Sequence, residues 1–295
     1  MIKKILVAYD FSESATVALD EAIVLAHRFS ASLALIHVVP FDAVSQLVNV
    51  IPHLDDVESH IRRNVEAEFS KVLGSRTSQA VAPHIRIGKP EHEIVSFAES
   101  GGYDLLLVGT HGHGGIRHFL LGSVAERVLR HARLPVLVDR PGALASSLSH
   151  ILVPVDRSPA SAEALRHAKT WAQAFGAKLT VMHVLGDYYY FPLYIQSDME
   201  AYGGSVGQYE EKEKDVVRAW VREVWGSAEP EPEILFSAGV DAAHEILEIV
   251  KQKSIGLIIM GTHGRTGLEH LVLGSTAEKV VRYAPCSVMT VQGKD

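Results

Sequence analysis

Gly109-Thr110-His111-Gly112-His113-Gly114-Gly115-Ile116-Arg117-His118-Phe119-Leu120-Leu121-Gly122-Ser123 is the stretch whose reading decides the fold. It follows Leu105-Leu106-Leu107-Val108, a short uncharged apolar run that reads as a buried parallel strand. It leads into Ser123-Val124-Ala125-Glu126, whose Ser-x-x-Glu pattern predicts a capping box at a helix start. A strand, a glycine-rich turn and a helix N-terminus together make an anion site. Glycine lets the backbone approach a phosphate closely, and the free N–H groups of the first helical turn favour negative charge.

The stretch occurs twice. Gly261-Thr262-His263-Gly264, nine further residues and Gly274-Ser275 repeat the spacing Gly-x2-Gly-x9-Gly-Ser, after the run Leu257-Ile258-Ile259-Met260 and before a second Ser-x-x-Glu, Ser275 to Glu278. Two copies in the same context turn a weak glycine motif into a strong one.

The chain around these loops reads as two successive passes of one pattern. Ile5 to Asp10 is a first strand ending at a carboxylate, followed by a helix capped by Ser12, with Ala15, Ala18, Ala22, Leu25 and Phe29 on one face. Leu33 to Val39, with its His37-Val38 pair, is a second strand. Residues 41 to 75 read as a loop followed by a polar helix through Ile61, Val65 and Phe69, and Val81 to Ile87 as a third strand. Pro90 opens a further helix, and strand five is Pro135 to Val138. Arg140 to Ser149 is a linker rich in small residues.

The pattern then restarts with Ile151 to Asp156, Leu179 to Val184, Ile234 to Phe236 and Ser287 to Val291. Gly109 and Gly261 are 152 residues apart but Asp10 and Asp156 only 146, so the second half carries six extra residues, placed within Asp187 to Glu210. That segment reads as a surface loop. Strands alternating with helices imply parallel sheets with right-handed crossovers. Ligands bind such sheets at the carboxyl ends of strands, where Asp10, Val38 and the first glycine loop all fall.

Composition narrows the class. The 295 residues are 47% hydrophobic and 21% charged, enough for two domains with real cores. The formal charge of −7 argues against nucleic acid or an anionic membrane as partner. No apolar run is long enough to cross a bilayer, and the lysines at 3 and 4 do not fit a signal peptide. The single cysteine, Cys286, fits a reducing compartment, hence a cytoplasmic location, and reads as a small apolar core residue.

The two halves resemble the universal stress protein family, as a tandem pair over residues 1–140 and 150–295. Asp10-Phe11-Ser12-Glu13, His37-Val38 and the Gly-x2-Gly-x9-Gly-Ser loop carry the resemblance. It implies an α/β, doubly wound, five-stranded parallel sheet of order 3-2-1-4-5 in each half. It also implies ATP, ADP or AMP across the strand ends, with Mg²⁺ held through phosphates, and a nucleotide-dependent role in the stress response.

Matched position by position, Asp10 sits by the adenosine, the backbone of Val38 reads the adenine edge, and Gly109, Gly112, Gly122 and Ser123 hold ribose and phosphates. Ala8, Tyr9, His111, His113 and Val124 complete that set. In the second half the match gives Asp156, Val184, Gly261, Gly264, Gly274 and Ser275, with Pro154, Val155, His263, Arg265 and Thr276. Relatives with one domain commonly dimerise through their final strands, so the resemblance implies an intramolecular pseudo-dimer and leaves room for a homodimer; the protein partner is unknown.

The second half departs from the pattern at Arg157-Ser158-Pro159 and at Gly239-Val240-Asp241. Asp10 and Asp156 also have a plainer reading as helix caps. His111, His113 and His118 lack a defined metal geometry. Gly203-Gly204-Ser205-Val206-Gly207 satisfies Gly-x-Ser-x-Gly, but no strand is expected to enter it and no helix to leave it, so it is not read as a nucleophile elbow. A P-loop and a Rossmann fingerprint are both missing from the sequence. The function expected is a nucleotide-binding regulator, the alternative a slow ATPase or phosphotransferase using the same sites.

Overall fold

The computed structural model describes residues 2–50, 57–74, 76–77, 80–110, 121–140, 148–186, 206–228, 230–264 and 273–293. The chain divides into two compact units, Met1–Ser147 and Leu148–Asp295.

The first unit runs β1 (Lys4–Ala8), α1 (Glu13–Phe29), β2 (Ser32–Pro40), α2 (Phe41–Val50), α3 (Val57–Gly74), β3 (Val81–Gly88), α4 (Pro90–Ser100), β4 (Leu105–Gly109), α5 (Ser123–His131) and β5 (Val136–Asp139). Its strands are ordered β3-β2-β1-β4-β5. All are parallel, with Ile5 opposite Leu33 on one side and Leu105 on the other. Chain direction across the sheet reverses between β1 and β4, where the strand ends open a crevice. Ile5, Leu6, Val7, Leu105, Leu106 and Leu107 are wholly buried. Helices on both faces force this, and continuous aliphatic runs rather than alternating ones are the consequence.

α1 packs a largely alanine face, Ala15, Ala18, Ala22 and Ala26, with Leu19 and Leu25 between. Ser12 caps it by accepting from the Ala15 amide at 3.1 Å. The helix after Pro40 was read from the sequence as loop; it forms because Phe41, Val44, Leu47 and Val48 recur at helical spacing without Gly or Pro, and Asp42 suits the first turn.

The second unit repeats the order with β6 (His150–Pro154), α6 (Pro159–Phe175), β7 (Lys178–Leu185), α7 (Val206–Trp225), β8 (Glu233–Ala238), α8 (Ala242–Lys253), β9 (Leu257–Gly261), α9 (Ser275–Tyr283) and β10 (Ser287–Val291). Its strand order is β8-β7-β6-β9-β10, the expected 3-2-1-4-5. Gly176 ends α6 in the left-handed region, as its sequence position predicts. Two readings of the added segment need adjustment. Residues 187–205 lie outside the described residues, whereas Val206 to Glu210 already belong to α7. A helix therefore does leave the Gly203–Gly207 stretch, contrary to the sequence reading.

No helix among the described residues is long and apolar enough to cross a membrane.

One ion cluster ties the start of β8 to its neighbours. Glu233 meets Lys178 at 2.7 Å and Lys253 at 3.2 Å, and Thr180 donates to it at 3.2 Å. The Lys178 hydrogen bond is the largest cause that holds the Glu233 carboxyl at about 2, against 4.5 without the fold. Its folded value is depressed, so its stabilisation is present above pH 4.5 and fades as pH falls from there toward 2. The side chain is 35% exposed, and screening leaves about 1 kcal/mol. Glu233→Gln should lower stability by about that amount at pH 7 and by clearly less at about pH 3, read as urea midpoints. An equal loss at both pH values would show that the carboxylate charge is not what matters there.

Candidate functional site

Each site begins with a turn that follows the first strand of its unit. Asp10 Oδ1 accepts the Ser12 amide at 3.0 Å, and Asp156 Oδ1 accepts the Ser158 amide at 3.0 Å. The residue between them, Phe11 or Arg157, takes φ 64° in both units. A left-handed conformation at a bulky residue carries strain, and its repetition shows that the turn is what the fold holds in place. The aspartates therefore do not cap the helices themselves, since Ser12 and Ser158 do that. They form the side-chain turn just before.

The next strand supports the turn from the side. His37 Nδ1 donates to the Tyr9 carbonyl at 2.8 Å and His183 Nδ1 to the Val155 carbonyl at 2.7 Å. Around His37 the first unit packs Phe11 and Phe69. In the second unit His183 Nε2 faces Glu213 on α7 at 3.3 Å.

The glycine loop is pinched at its ends. The Gly122 amide donates to the Thr110 carbonyl at 2.7 Å, and the Gly274 amide to the Thr262 carbonyl at 2.8 Å. Both threonines are buried. This geometry corrects the capping box expected at Ser123 and Ser275. The N-caps are Gly122 and Gly274, without any side-chain cap bond, and the serines are the first helical residues. Glu126 and Glu278 instead pair with Arg130 and Arg282 one turn on. A Ser-x-x-Glu pattern read one residue out of phase cannot form the reciprocal bonds. Consequently, among the described residues, no side chain caps the first amides of α5 and α9, and the earliest backbone bond is the one that the Glu126 or Glu278 amide donates to the cap glycine carbonyl.

In the second unit these parts enclose a cleft of about 240 Å³. Pro154, Val155, Asp156, Val184, Gly261, His263, Gly264, Gly274, Ser275 and Thr276 line it, so ten of the eleven positions named from the sequence converge on one cavity. The eleventh, Arg265, lies outside the described residues. The cleft has two ends. Met182, Val184, Ala242 and Ile246 make an apolar one, and Asp156, Thr262, Ser275 and Thr276 a polar one. Met182, Ala242 and Ile246 went unrecognised in the sequence because they look like ordinary core positions of β7 and α8. Only the crossover that lays α8 beside the strand ends turns them into a wall.

In the first unit Ala8, Tyr9, Asp10, Val38 and Gly109 sit at the matching strand ends, and Gly122, Ser123 and Val124 at the start of α5. His111, Gly112, His113 and His118 lie outside the described residues.

Each cleft wall is braced by an ion pair one turn into the helix behind the loop. Arg127 meets Glu91 at 3.1 Å and Lys279 meets Asp241 at 2.8 Å. Asp241 caps α8 and accepts the Ala243 amide; the bond from Lys279 is the main cause holding its carboxyl below the usual carboxylate range. Asp241 thus replaces the Gly-x-Pro turn of the first half with a side-chain cap.

Two glycines are fixed by contact. A Cβ on Gly261 would lie 2.8 Å from Ala160 Cβ and 3.1 Å from the Ala160 carbonyl carbon, so β9 and α6 touch there. A Cβ on Gly264 would lie 2.7 Å from Asp156 Oδ2, the oxygen not used in the turn. The glycine loop therefore rests on the aspartate. Gly261→Ala should cost about 1–3 kcal/mol by urea unfolding, because backbone on both sides must move. Gly186→Ala, with no described residue within 4 Å, should be close to neutral. Equal effects at the two positions would remove the close-packing argument.

Comparison with known proteins agrees with this architecture. The model of the universal stress protein family matches residues 1–140 and again 148–292. A universal stress protein of Mycolicibacterium smegmatis is 27% identical over 98% of this chain and 96% of its own length. A single-domain relative from Bacillus subtilis is 33% identical over 48% of this chain and the whole of its own. The crystal structure of a universal stress protein from Archaeoglobus fulgidus superposes with a TM-score of 0.71, covering 99% of this chain and 98% of that one at 22% identity. A strand order of 3-2-1-4-5 in both units, the repeated glycine loop and two matches to one family model lead to a single assignment: the chain is a tandem member of the universal stress protein family.

Proposed function

We propose that each unit binds an adenine nucleotide at its strand ends, and that the chain acts as a nucleotide-dependent regulator rather than as a dedicated enzyme. The observation that carries this reading is the glycine-capped α9, whose first residues Ser275, Thr276 and Ala277 line the polar end of the cleft without a side-chain cap. Unbonded amides at a helix start, with the helix dipole behind them, suit phosphate oxygens.

The rest of the cleft fits the other parts of the ligand. A flat base suits the apolar end formed by Met182, Val184, Ala242 and Ile246, and the backbone of Val184 at the end of β7 suits its hydrogen-bonding edge. The Asp156 carboxylate suits ribose hydroxyls, from which it can accept hydrogen bonds. Mg²⁺, when bound with the nucleotide, neutralises phosphate charge while keeping most of its ligands as water and phosphate oxygens. By the repeat, Asp10, Val38, Gly122 and Ser123 take the same parts in the first unit.

The regulatory reading rests on the lining. Among the described residues of the cleft, Asp156 is the one carboxylate, and no lysine or glutamine is present. Hydrolysis needs a group that orients water at the terminal phosphate.

Equilibrium dialysis of the full chain with ATP and Mg²⁺ should give about two equivalents bound, and Gly264→Val about one, since its side chain would displace the Asp156 carboxylate from the loop. Absence of any bound nucleotide in the unmodified protein would overturn the reading. Single-turnover assays should give rates well below about 1 s⁻¹, and faster turnover would place the protein among enzymes.

A further inference from the structure

The two sheets are built alike at the amino ends of their strands, but the side chains there differ. The Asp104 amide donates to the Lys4 carbonyl at 2.9 Å and the Gly256 amide to the His150 carbonyl at 3.0 Å, so Lys4 and His150 hold the same position in the two units. Each also reaches the carbonyl three residues before that amide, at the end of the preceding helix. Lys4 Nζ donates to the Gly101 carbonyl at 3.1 Å, and His150 Nδ1 meets the Lys253 carbonyl at 3.2 Å. Gly101 follows α4 as its cap, and Lys253 is the last residue of α8. Where the first unit uses an exposed lysine, an ordinary cation at neutral pH, the second uses an imidazole that is 8% exposed.

The ring continues into a chain of groups that the first unit lacks. Where β2 and β3 pair Ala34 with Ala82, β7 and β8 pair Thr180 with Glu233. His150 Nε2 meets Thr180 Oγ1 at 2.8 Å, and Thr180 Oγ1 donates to Glu233 at 3.2 Å. Three links run from the Lys253 carbonyl to the Glu233 carboxylate, and each needs one hydrogen. A neutral ring and a hydroxyl supply two, so one link is unmade; an imidazolium and a hydroxyl supply three. Proton uptake completes the chain but places a charge in a buried site.

The surroundings decide which effect wins. Lys178 on β7 and Lys253 on α8 are the cations acting on the ring, and Glu233 on β8 is the anion, already held by both lysines. Gly256, just before β9, brings an amide and no charge, and the last turn of α6, Ala172 to Phe175, holds no charged residue. Burial is the largest cause that holds His150 below the ordinary histidine value; the Lys253 carbonyl and Glu233 oppose it, and the two ammoniums add to it. The unfolded chain therefore takes up this proton first as pH falls. Stability is present above about 6.5 and is lost as pH drops from there through the folded value. Glu233, held at about 2, stays charged throughout.

We infer that His150, Thr180 and Glu233 form an acid-sensitive latch at the amino ends of the second sheet: proton uptake by His150 favours opening there, where the charged ring reaches water, while the first unit, with Lys4 in that place, does not respond. The latch lies at the opposite ends of the strands from the cleft and does not depend on the nucleotide reading. Acidification thus loosens one unit of the pair and leaves the other.

The test is hydrogen exchange of the full chain, read at single amides and corrected for the intrinsic effect of pH. The reporters are the Lys178 amide, which bonds the Ser149 carbonyl, and the Gly256 amide; their counterparts are the Ser32 amide on the Lys3 carbonyl and the Asp104 amide. β3, where burial also lowers His84, is not among them. Protection of Lys178 and Gly256 should fall roughly fivefold between about pH 7.5 and about pH 5.5, with Ser32 and Asp104 unchanged. His150→Gln, or His150→Lys, which copies the first unit, should remove that response. If neither variant folds, the contrast between the two pairs of amides in the unmodified protein decides. An equal response in both units, no response in the second, or a response that persists in His150→Gln would overturn the proposal.

Discussion

The bond from the Gly274 amide to the Thr262 carbonyl, and its counterpart from Gly122 to Thr110, is the constraint on which each site depends. It closes a loop that leaves a central strand and returns as a helix. Because a glycine occupies the cap, no side chain competes for the helix amides. Any Ser, Thr, Asp or Asn there would satisfy one of those donors internally and stabilise the helix by about 1 kcal/mol. Both units forgo that stabilisation, and in the second the residues of that first turn line the cleft instead.

The aspartate turn is the second half of the same device. Asp156 holds the Ser158 amide with one oxygen and stands against Gly264 with the other. Ser158 in turn caps α6 and donates to the His263 carbonyl at 3.4 Å. The first-strand turn, the start of the first helix and the glycine loop are therefore one connected assembly, and the strained Arg157 is its cost. Phe11 bears the same strain in the first unit, so the conformation follows from the turn rather than from either side chain.

The repeat also shows where two copies of one fold have been free to differ. The strand-end turn, the loop pinch and the cap glycine are the same in both. The surroundings of the supporting histidine changed from aromatic rings to a carboxylate, and the outer edge strand carries Pro83 in the first unit where the second has Ile234. The histidine bond to the first-strand carbonyl is kept in both units, and the differences fall around it.

Much of this was legible in the residues. Uninterrupted aliphatic runs marked the buried strands, because a sheet covered on both faces leaves no polar side to alternate with. The doubled glycine spacing marked the two equivalent strand-to-helix connections, and ten of eleven positions named in the second half share one cleft. Other features were not legible. The helix at Phe41 was hidden by the proline before it, and the capping box failed because a pattern four residues long does not fix which residue is the cap. Met182, Ala242 and Ile246 became a cleft wall only when the crossover placed α8 beside the strand ends. Local sequence determined the elements and their order, since periodicity and glycine placement act within a few residues. Tertiary structure alone decided the phase of the cap, the oxygen of Asp156 that meets Gly264 and the cleft wall that α8 supplies, because each depends on groups that are distant in the chain and adjacent only in the fold.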